Sequence, residues 1–253
     1  MVYNVQKASI WKRISAFLFD GIILGIMAVA LAWLLSGALG FDTYNQTLDQ
    51  RYEAYASQYG ISFEISQEEY EALEPEERSR YDEAYAALAR DEEATYAYNM
   101  VVSLSLVIIT VSVLASFLAL EFAAPLLIGN GQTMGKRIFG VALMRNDGVR
   151  INAVSLFVRT VLGKFTIETM IPLLIILMVF WGVIGVISVI ILGVILLAQL
   201  LLLIFSRNNL LIHDFLANTI AVDYASQMIF ADDQALIDYK KRLAAERSAR
   251  QNY

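Results

Sequence analysis

The feature that most constrains the fold is an uncharged run of 36 residues, from Met170 to Phe205. As a single α-helix this run would be about 54 Å long, whereas the apolar core of a bilayer is about 30 Å thick. Gly182 and Gly185 lie near its middle. We therefore expect a hairpin of two membrane spans, the first extended back to about Thr166 and the second covering about 186 to 205. One strongly tilted helix is the alternative.

Two earlier apolar runs also have the length of a membrane span. Ile14 to Leu39 contains Asp20 as its only charge, and Met100 to Ile128 contains only Glu121. With 58% hydrophobic and 17% charged residues, the chain is too apolar for an ordinary soluble domain. The first run is longer than the apolar part of a typical signal peptide, so we expect it to be a retained anchor.

Charge is distributed unevenly along the chain. From Asp42 to Tyr96 there are 15 acidic and 4 basic residues, and the remainder carries 10 acidic and 15 basic residues. Basic residues precede the first span, lie between the second and third, and follow the fourth. Since lysine and arginine favour cytoplasmic flanks, only four spans place all of them inside. We expect a multi-pass protein of the bacterial plasma membrane with both termini in the cytoplasm and the acidic insert outside.

Local signals predict the structure outside the spans. In the acidic insert, Ser66-Gln67-Glu68-Glu69 is a capping box and Pro75 suits a helix start. Asn146-Asp147-Gly148 predicts a β-hairpin between strands at 141–145 and 149–151, to which 219–222 would add a third strand. Residues 153–168 have the pattern of an amphipathic interfacial helix, and 232–250 that of a charged helical tail.

The predicted fold class is an all-α membrane protein with four transmembrane helices, a helical extracytoplasmic insert and a small cytoplasmic β-hairpin. The predicted segments are the N-terminus with the first span (1–41), the insert (42–98), the second span (99–128), the cytoplasmic turn, hairpin and interfacial helix (129–165), the transmembrane hairpin (166–206), and the His-Asp segment with the tail (207–253).

Three stretches resemble motifs of the RDD family of bacterial membrane proteins, which is named for one arginine and two aspartates. Trp11 to Asp20 matches its arginine and aspartate in the first helix. Gly131-Gln132-Thr133-Met134-Gly135-Lys136 is close to its Gly-Gln-Thr-x-Gly-Lys element, and His213-Asp214-Phe215-Leu216-Ala217-Asn218-Thr219 resembles its His-Asp-x-x-Ala-x-Thr end. The resemblance implies a membrane location and suggests a transport role, with cation/proton antiport proposed for some members. The acidic insert and Glu121 depart from the general pattern.

Ionisable residues close to the predicted inner face form the candidate site. Arg13 and Asp20 are almost two helical turns apart on one face, and Glu121 lies at a depth similar to that of Asp20. The two carboxylates would then share a proton or cation, or each would have a separate basic partner. We expect one ion, proton or structural charge network, and basic residues that contact lipid phosphates. The network comprises Arg13, Asp20, Glu121, Lys136, His213 and Asp214; the lipid-phosphate residues are Lys136, Arg137, Arg159 and Lys164.

Several function classes are disfavoured by what the sequence contains. There is no cysteine and only one histidine, His213, so no metal site is expected. No nucleotide-loop or intramembrane-protease signature is present, so we expect neither an enzyme nor a cofactor, and no nucleic-acid partner. The two remaining hypotheses are ion- or proton-coupled transport and a non-transporting scaffold or accessory subunit. The expected partners are the lipid bilayer and either further copies of the chain or another membrane protein.

Overall fold

A computed structural model describes residues 5–180 and 185–251. The expected turn at Gly182-Val183-Ile184 lies outside the described residues. The chain divides into two compact units, which are described separately. The first comprises the described residues up to Ala28 and from Val113 onward, and the second comprises Val29–Ser112.

Four helices in the described part of the chain are long and apolar enough to cross a membrane. They are Ile10–Leu39, Glu92–Ile128, Ala153–Val179 and Val186–Phe205. The fourth has the predicted bounds, and it is separate from the helix that ends at Phe180, so the single tilted helix is excluded. The prediction of a mostly helical membrane protein with four spans and a small sheet is confirmed.

Each of the two middle spans contains a π-helical segment. The second span consists of α5 (Glu92–Phe117), π1 (Leu118–Ala123) and α6 (Ala124–Ile128). The third consists of α8 (Ala153–Phe157), π2 (Val158–Met170) and α9 (Ile171–Phe180), which follow one another directly. The first span is α1 (Ile10–Leu39) and the fourth is α10 (Val186–Phe205).

The predicted interfacial helix over 153–168 is wrong as a separate element, because this stretch is the first half of the third span. Arg159 and Lys164 give it an amphipathic pattern. However, their side chains are buried against carboxylates inside the first unit and do not lie on an exposed polar face. The pattern is therefore that of a span with a charged interior face.

The sheet has two antiparallel strands, β1 (Val141–Arg145) and β2 (Thr219–Asp223). Arg145 N donates to Val149 O at 2.8 Å, so the predicted turn forms. The second arm of the predicted hairpin is reduced to isolated bridges, because its backbone bonds to Phe230. The predicted third strand is therefore the main partner of β1. Both faces of the pair are buried, one with Val141 and Leu143 and the other with Ala142 and Met144.

The first unit also contains the short helices α7 (Met134–Ile138) and α11 (Ile212–Leu216) and the longer tail helix α12 (Asp233–Gln251). The predicted tail helix is thus confirmed. Leu236 and Phe230 are buried with Val149, which joins the start of α12 to the turn after β1.

The second unit contains the acidic insert, whose helices are α2 (Phe41–Tyr59), α3 (Gln67–Ala72) and α4 (Pro75–Leu88). Ser66 and Glu69 form the predicted capping box, and Pro75 begins α4 as expected. Tyr52, Phe63 and Tyr81 are packed edge to face, with centroid distances of 5.3 and 5.8 Å. The insert is therefore ordered around its own aromatic contacts.

Candidate functional site

A cavity of about 520 Å³ lies within the first unit, between the four membrane-spanning helices and the elements that follow them. Its volume is in the range of small-molecule binding sites. Each span contributes to its wall, as do α7, β1, α11 and β2. The ionisable residues that line the cavity are Arg13, Asp20, Glu121, Lys136, Arg159, Lys164, Glu168 and His213.

Glu121 is shared by two lysines. Lys164 Nζ lies 2.5 Å from Glu121 Oε1, and Lys136 Nζ lies 3.3 Å from Glu121 Oε2. All three residues are buried. Of the alternatives weighed from the sequence, the structure shows a basic partner for Glu121 and no contact with Asp20. We call this group the lysine triad; with both lysines charged it carries one excess positive charge.

Asp214 is shared by two arginines in the same way. Arg159 NH1 lies 2.8 Å from Asp214 Oδ1, and Arg13 NH2 lies 3.2 Å from Asp214 Oδ2. The Asp214 side chain has no exposed surface. We call this group the arginine triad, and it too carries one excess positive charge. Although Arg13 and Asp20 share a face of the first helix, Arg13 bonds to Asp214 and to the Asn209 carbonyl, the latter at 2.6 Å.

Asp20 and Glu168 bind polar donors outside the two triads. Asp20 accepts hydrogen bonds from the Thr133 hydroxyl and, at 2.7 Å, from Gly135 N. Glu168 accepts from His213 N at 3.0 Å and contacts His213 Nδ1 at 2.7 Å. These two carboxylates balance the excess charge of the two triads. With His213 neutral, the two triads together with Asp20 and Glu168 contain four cations and four carboxylates.

The π-helical segments place the charges of the second and third spans. Arg159 and Lys164 are five residues apart, which on an α-helix would separate them by about 140° around the axis. In a π-helix, residues five apart are hydrogen-bonded neighbours on one face. Ile171 N bonds to Thr166 O with this spacing. The wider turn therefore directs both cations into the same region, where they reach Asp214 and Glu121.

Two glycines of the Gly131–Gly140 motif occupy positions that other residues would not tolerate. Gly131 has φ of 61°, in the left-handed region that favours glycine. A Cβ on Gly135 would lie 2.5 Å from the Ala16 carbonyl oxygen and 2.9 Å from the Asp20 carboxyl carbon. Only glycine lets its backbone N–H approach Asp20 this closely. The motif thus positions α7 against α1.

The predicted lipid-phosphate contacts are wrong for Lys136, Arg159 and Lys164. Their relative exposures are 8%, 3% and 9%, and each pairs with a carboxylate inside the unit. Arg137 is exposed, and its lipid contact remains a prediction. Sequence reasoning also missed the roles of Glu168 and Thr133. The available signal for Glu168 was its spacing of four from Lys164 on the charged face.

Burial sets the protonation of the groups outside the spans. It lowers the pKa of Lys136 to about 8, although Glu121 acts in the opposite direction. Burial also lowers the pKa of His213, and nearby Arg159 adds to this effect. At Asp214 burial raises the pKa, but Arg159, His213 and Arg13 outweigh it, so the net direction is downward. Asp214 is therefore a charged structural anion.

No three His, Asp or Glu side chains converge as a metal site within residues 5–180 and 185–251. The carboxylates at the cavity are instead bonded to cations, hydroxyls and amides. The arrangement can hold charge in a buried place and can exchange protons among lysine, hydroxyl and carboxylate groups.

Gly163 provides a test of the close approach between π2 and α11. A Cβ at this position would lie 2.5 Å from His213 Cβ and 2.7 Å from its Cα. Gly163→Ala should therefore lower stability by about 1–3 kcal/mol, measured as thermal unfolding in detergent. Gly193→Ala in α10 is the matched control, since its Cβ meets nothing within 4 Å, and it should be neutral or stabilising. Equal effects would mean that the two backbones are not in contact.

Comparison with known proteins gives one family. No curated protein matches the chain significantly. No solved structure does so either. The model of the RDD family matches residues 7–218, a range that includes Arg13, Asp20, the glycine motif and Asp214. The chain belongs to the RDD family of membrane proteins.

Proposed function

We propose that the chain is an ion- or proton-coupled transport protein whose site is the charged cavity of the first unit. The observation that carries the proposal is that ionisable side chains from the first three spans line one cavity of about 520 Å³, to which the fourth span contributes Gln199 and Leu203. Purely structural ion pairs need only neighbours and no open space. Ionisable groups within spans are costly, and those that face a cavity typically mark the path of an ion or proton.

Proteoliposomes that contain the purified protein and a pH-sensitive dye provide the test. A gradient of Na⁺, K⁺ or Li⁺ should drive proton movement in the wild type. Asp20→Asn keeps an acceptor for Thr133 and Gly135 but removes the charge, so it should abolish the flux. Asp42→Asn makes the same chemical change on an exposed residue of α2 and should leave the flux intact. Absence of flux with all three cations would contradict the proposal.

Transport by this chain would require more than one copy. Four spans are few for a transporter that acts alone, because most such folds are built from two repeated halves. We therefore propose a homo-oligomer in the bacterial plasma membrane, without enzymatic activity. Its mass in detergent, measured by light scattering with the detergent contribution subtracted, should correspond to at least two chains.

The proposed orientation places the insert outside the cell and both termini in the cytoplasm. The chain contains no cysteine, so single cysteines report topology without background. Cysteines at the exposed positions Ser57 and Ser79 should react with an impermeant maleimide on intact cells. Those at Asn146 and Ser248 should react only after permeabilisation. External reaction at Ser248 would contradict the orientation.

A scaffold or accessory-subunit role is the second candidate. It is supported by the second unit, which is compact by itself and contains a segment of 15 acidic and 4 basic residues with exposed tyrosines such as Tyr85 and Tyr96. Replacing residues 45–91 by a short linker should abolish binding to a partner while the four spans still insert. Under the transport proposal, the same deletion should leave cation-driven proton flux measurable.

A further inference from the structure

Thr133 lies between the lysine triad and Asp20, and its hydrogen bonds have a fixed direction. Its Oγ1 accepts hydrogen bonds from Lys136 Nζ at 3.2 Å and from Lys136 N at 3.3 Å. It also contacts Asp20 Oδ2. A hydroxyl has one hydrogen and two acceptor sites. Because both Lys136 nitrogens are donors, the single Thr133 hydrogen points to Asp20. The chain of donors therefore runs from Lys136 through Thr133 to Asp20.

The charges around this chain are unequal. Lys136 is surrounded by Glu121 from π1, Lys164 and Arg159 from π2, and Asp20 from α1. Two ammonium groups share the Glu121 carboxylate, whereas Asp20 accepts hydrogen bonds from Thr133 and Gly135. Moving one proton from Lys136 to Asp20 would remove an excess positive charge at one end and a negative charge at the other. Buried charges are costly, so neutralising both ends offsets part of the cost of moving a proton from an amine to a carboxylate.

We propose that Lys136, Thr133 and Asp20 form a proton relay in which Lys136 is the exchangeable donor and the Thr133 hydroxyl is the bridge. In the step, a Lys136 N–H bond breaks as a Thr133 O–H bond forms, and the original Thr133 O–H bond breaks as an Asp20 O–H bond forms. The products are a neutral amine, an unchanged hydroxyl and a neutral carboxylic acid. The amine then regains a proton from the cavity, which both Lys136 and Asp20 line.

Lys136 is better suited to donate than Lys164. Its ammonium lies 3.3 Å from Glu121, whereas that of Lys164 makes the shorter ion pair, at 2.5 Å. Burial of Lys136 also lowers its pKa to about 8, within reach of physiological pH. The lysine triad thus retains one ammonium on Glu121 while the other exchanges its proton.

The inference deepens the proposed transport function, and its first test uses the same proteoliposomes. Thr133→Val keeps the shape but removes the hydroxyl, and it should lower proton flux at least about ten-fold. Thr133→Ser keeps both the hydroxyl and the cap of α7, and it should retain the flux. Lys136→Arg keeps a cation beside Glu121 but cannot release a proton, so it should also lose flux. Wild-type flux in either Thr133→Val or Lys136→Arg would overturn the relay.

A second readout in detergent does not depend on transport. The Cε carbons of the lysines are labelled for NMR. The signal of Lys136 is identified by its loss in Lys136→Arg, and this signal is then followed as the pH is changed. Asp20→Asn should shift the Lys136 titration midpoint, and this shift should fall by at least about half in a Thr133→Val background. Equal shifts in both backgrounds would show coupling by charge alone and would overturn the relay. If wild-type liposomes show no flux, the transport proposal fails, and the NMR comparison still decides the relay. If Thr133→Val does not fold, Thr133→Ala is used in both tests.

Discussion

Asp214→Asn is expected to destabilise the protein by about 3–5 kcal/mol, measured as a loss of thermal stability in detergent. The substitution removes the one carboxylate shared by Arg13 and Arg159 and leaves two guanidinium groups close together without a counter-charge. Arginine cannot relieve this by losing its proton. The cost should therefore be nearly independent of pH between about 6 and 9.

A double-substitution cycle separates this explanation from simple loss of packing. Adding Arg159→Met removes one of the two stranded cations and leaves Arg13 with the Asn209 carbonyl. The double variant should be clearly more stable than the Asp214→Asn variant. Asp42→Asn, the same change at an exposed residue, should alter stability by no more than about 0.5 kcal/mol. Strict additivity of the two buried changes would refute the arginine triad.

Glu121→Gln should have a comparable effect at neutral pH but a different pH dependence. It leaves the ammonium groups of Lys136 and Lys164 buried without their carboxylate, at a cost of about 3–5 kcal/mol. The pKa of Lys136 is already lowered in the folded state, so the unfolded chain binds more protons there. Stability then rises with pH. Without Glu121 the pKa of Lys136 should fall further, so the loss caused by Glu121→Gln should shrink as the pH rises toward about 8 and change little above it.

Thermal unfolding of wild type and variant, measured in parallel at each pH, checks this expectation. Adding Lys164→Met to Glu121→Gln should recover part of the loss at pH 7, because one stranded ammonium is removed. Glu93→Gln is the control. The Glu93 side chain is 61% exposed, so its ion pair with Arg51 should contribute about 1 kcal/mol or less to stability. A loss that stays constant with pH would mean that Lys136 does not release its proton.

The spans could be predicted because their signal is local. Length and hydropathy determine where α10 begins and ends, and the basic flanks require an even number of crossings. The third span was predicted too short because Arg159 and Lys164 interrupt the apolar pattern. Their partners, Asp214 and Glu121, are 55 and 43 residues away in sequence. Nothing local distinguishes such a buried pair from two cations that face lipid headgroups.

The residues of the predicted network lie in one unit, but the sequence did not predict which of them pair. Arg13, Asp20, Glu121, Lys136, His213 and Asp214 do lie in one unit, as the topology argument required. Helical spacing put Arg13 and Asp20 on one face, but a shared face does not determine which group each side chain reaches. Gly135 determines one partner of Asp20, because the absence of a side chain lets the Gly135 backbone amide lie next to the Asp20 carboxylate. The π-helical turns could not be foreseen from α-helical periodicity.

The arginine triad and the contacts of Asp20 also have a consequence for the synthesis of the protein. Arg13 and Asp214 are 201 residues apart, and Asp20 is 113 residues from Thr133. At about 5–20 residues per second, Asp214 is made roughly 10–40 s after Arg13. During that interval the first helix carries charged groups whose partners do not yet exist. Its stable placement in the bilayer must therefore wait until the last span has been made, or depend on the insertion machinery to keep Arg13 and Asp20 in contact with water.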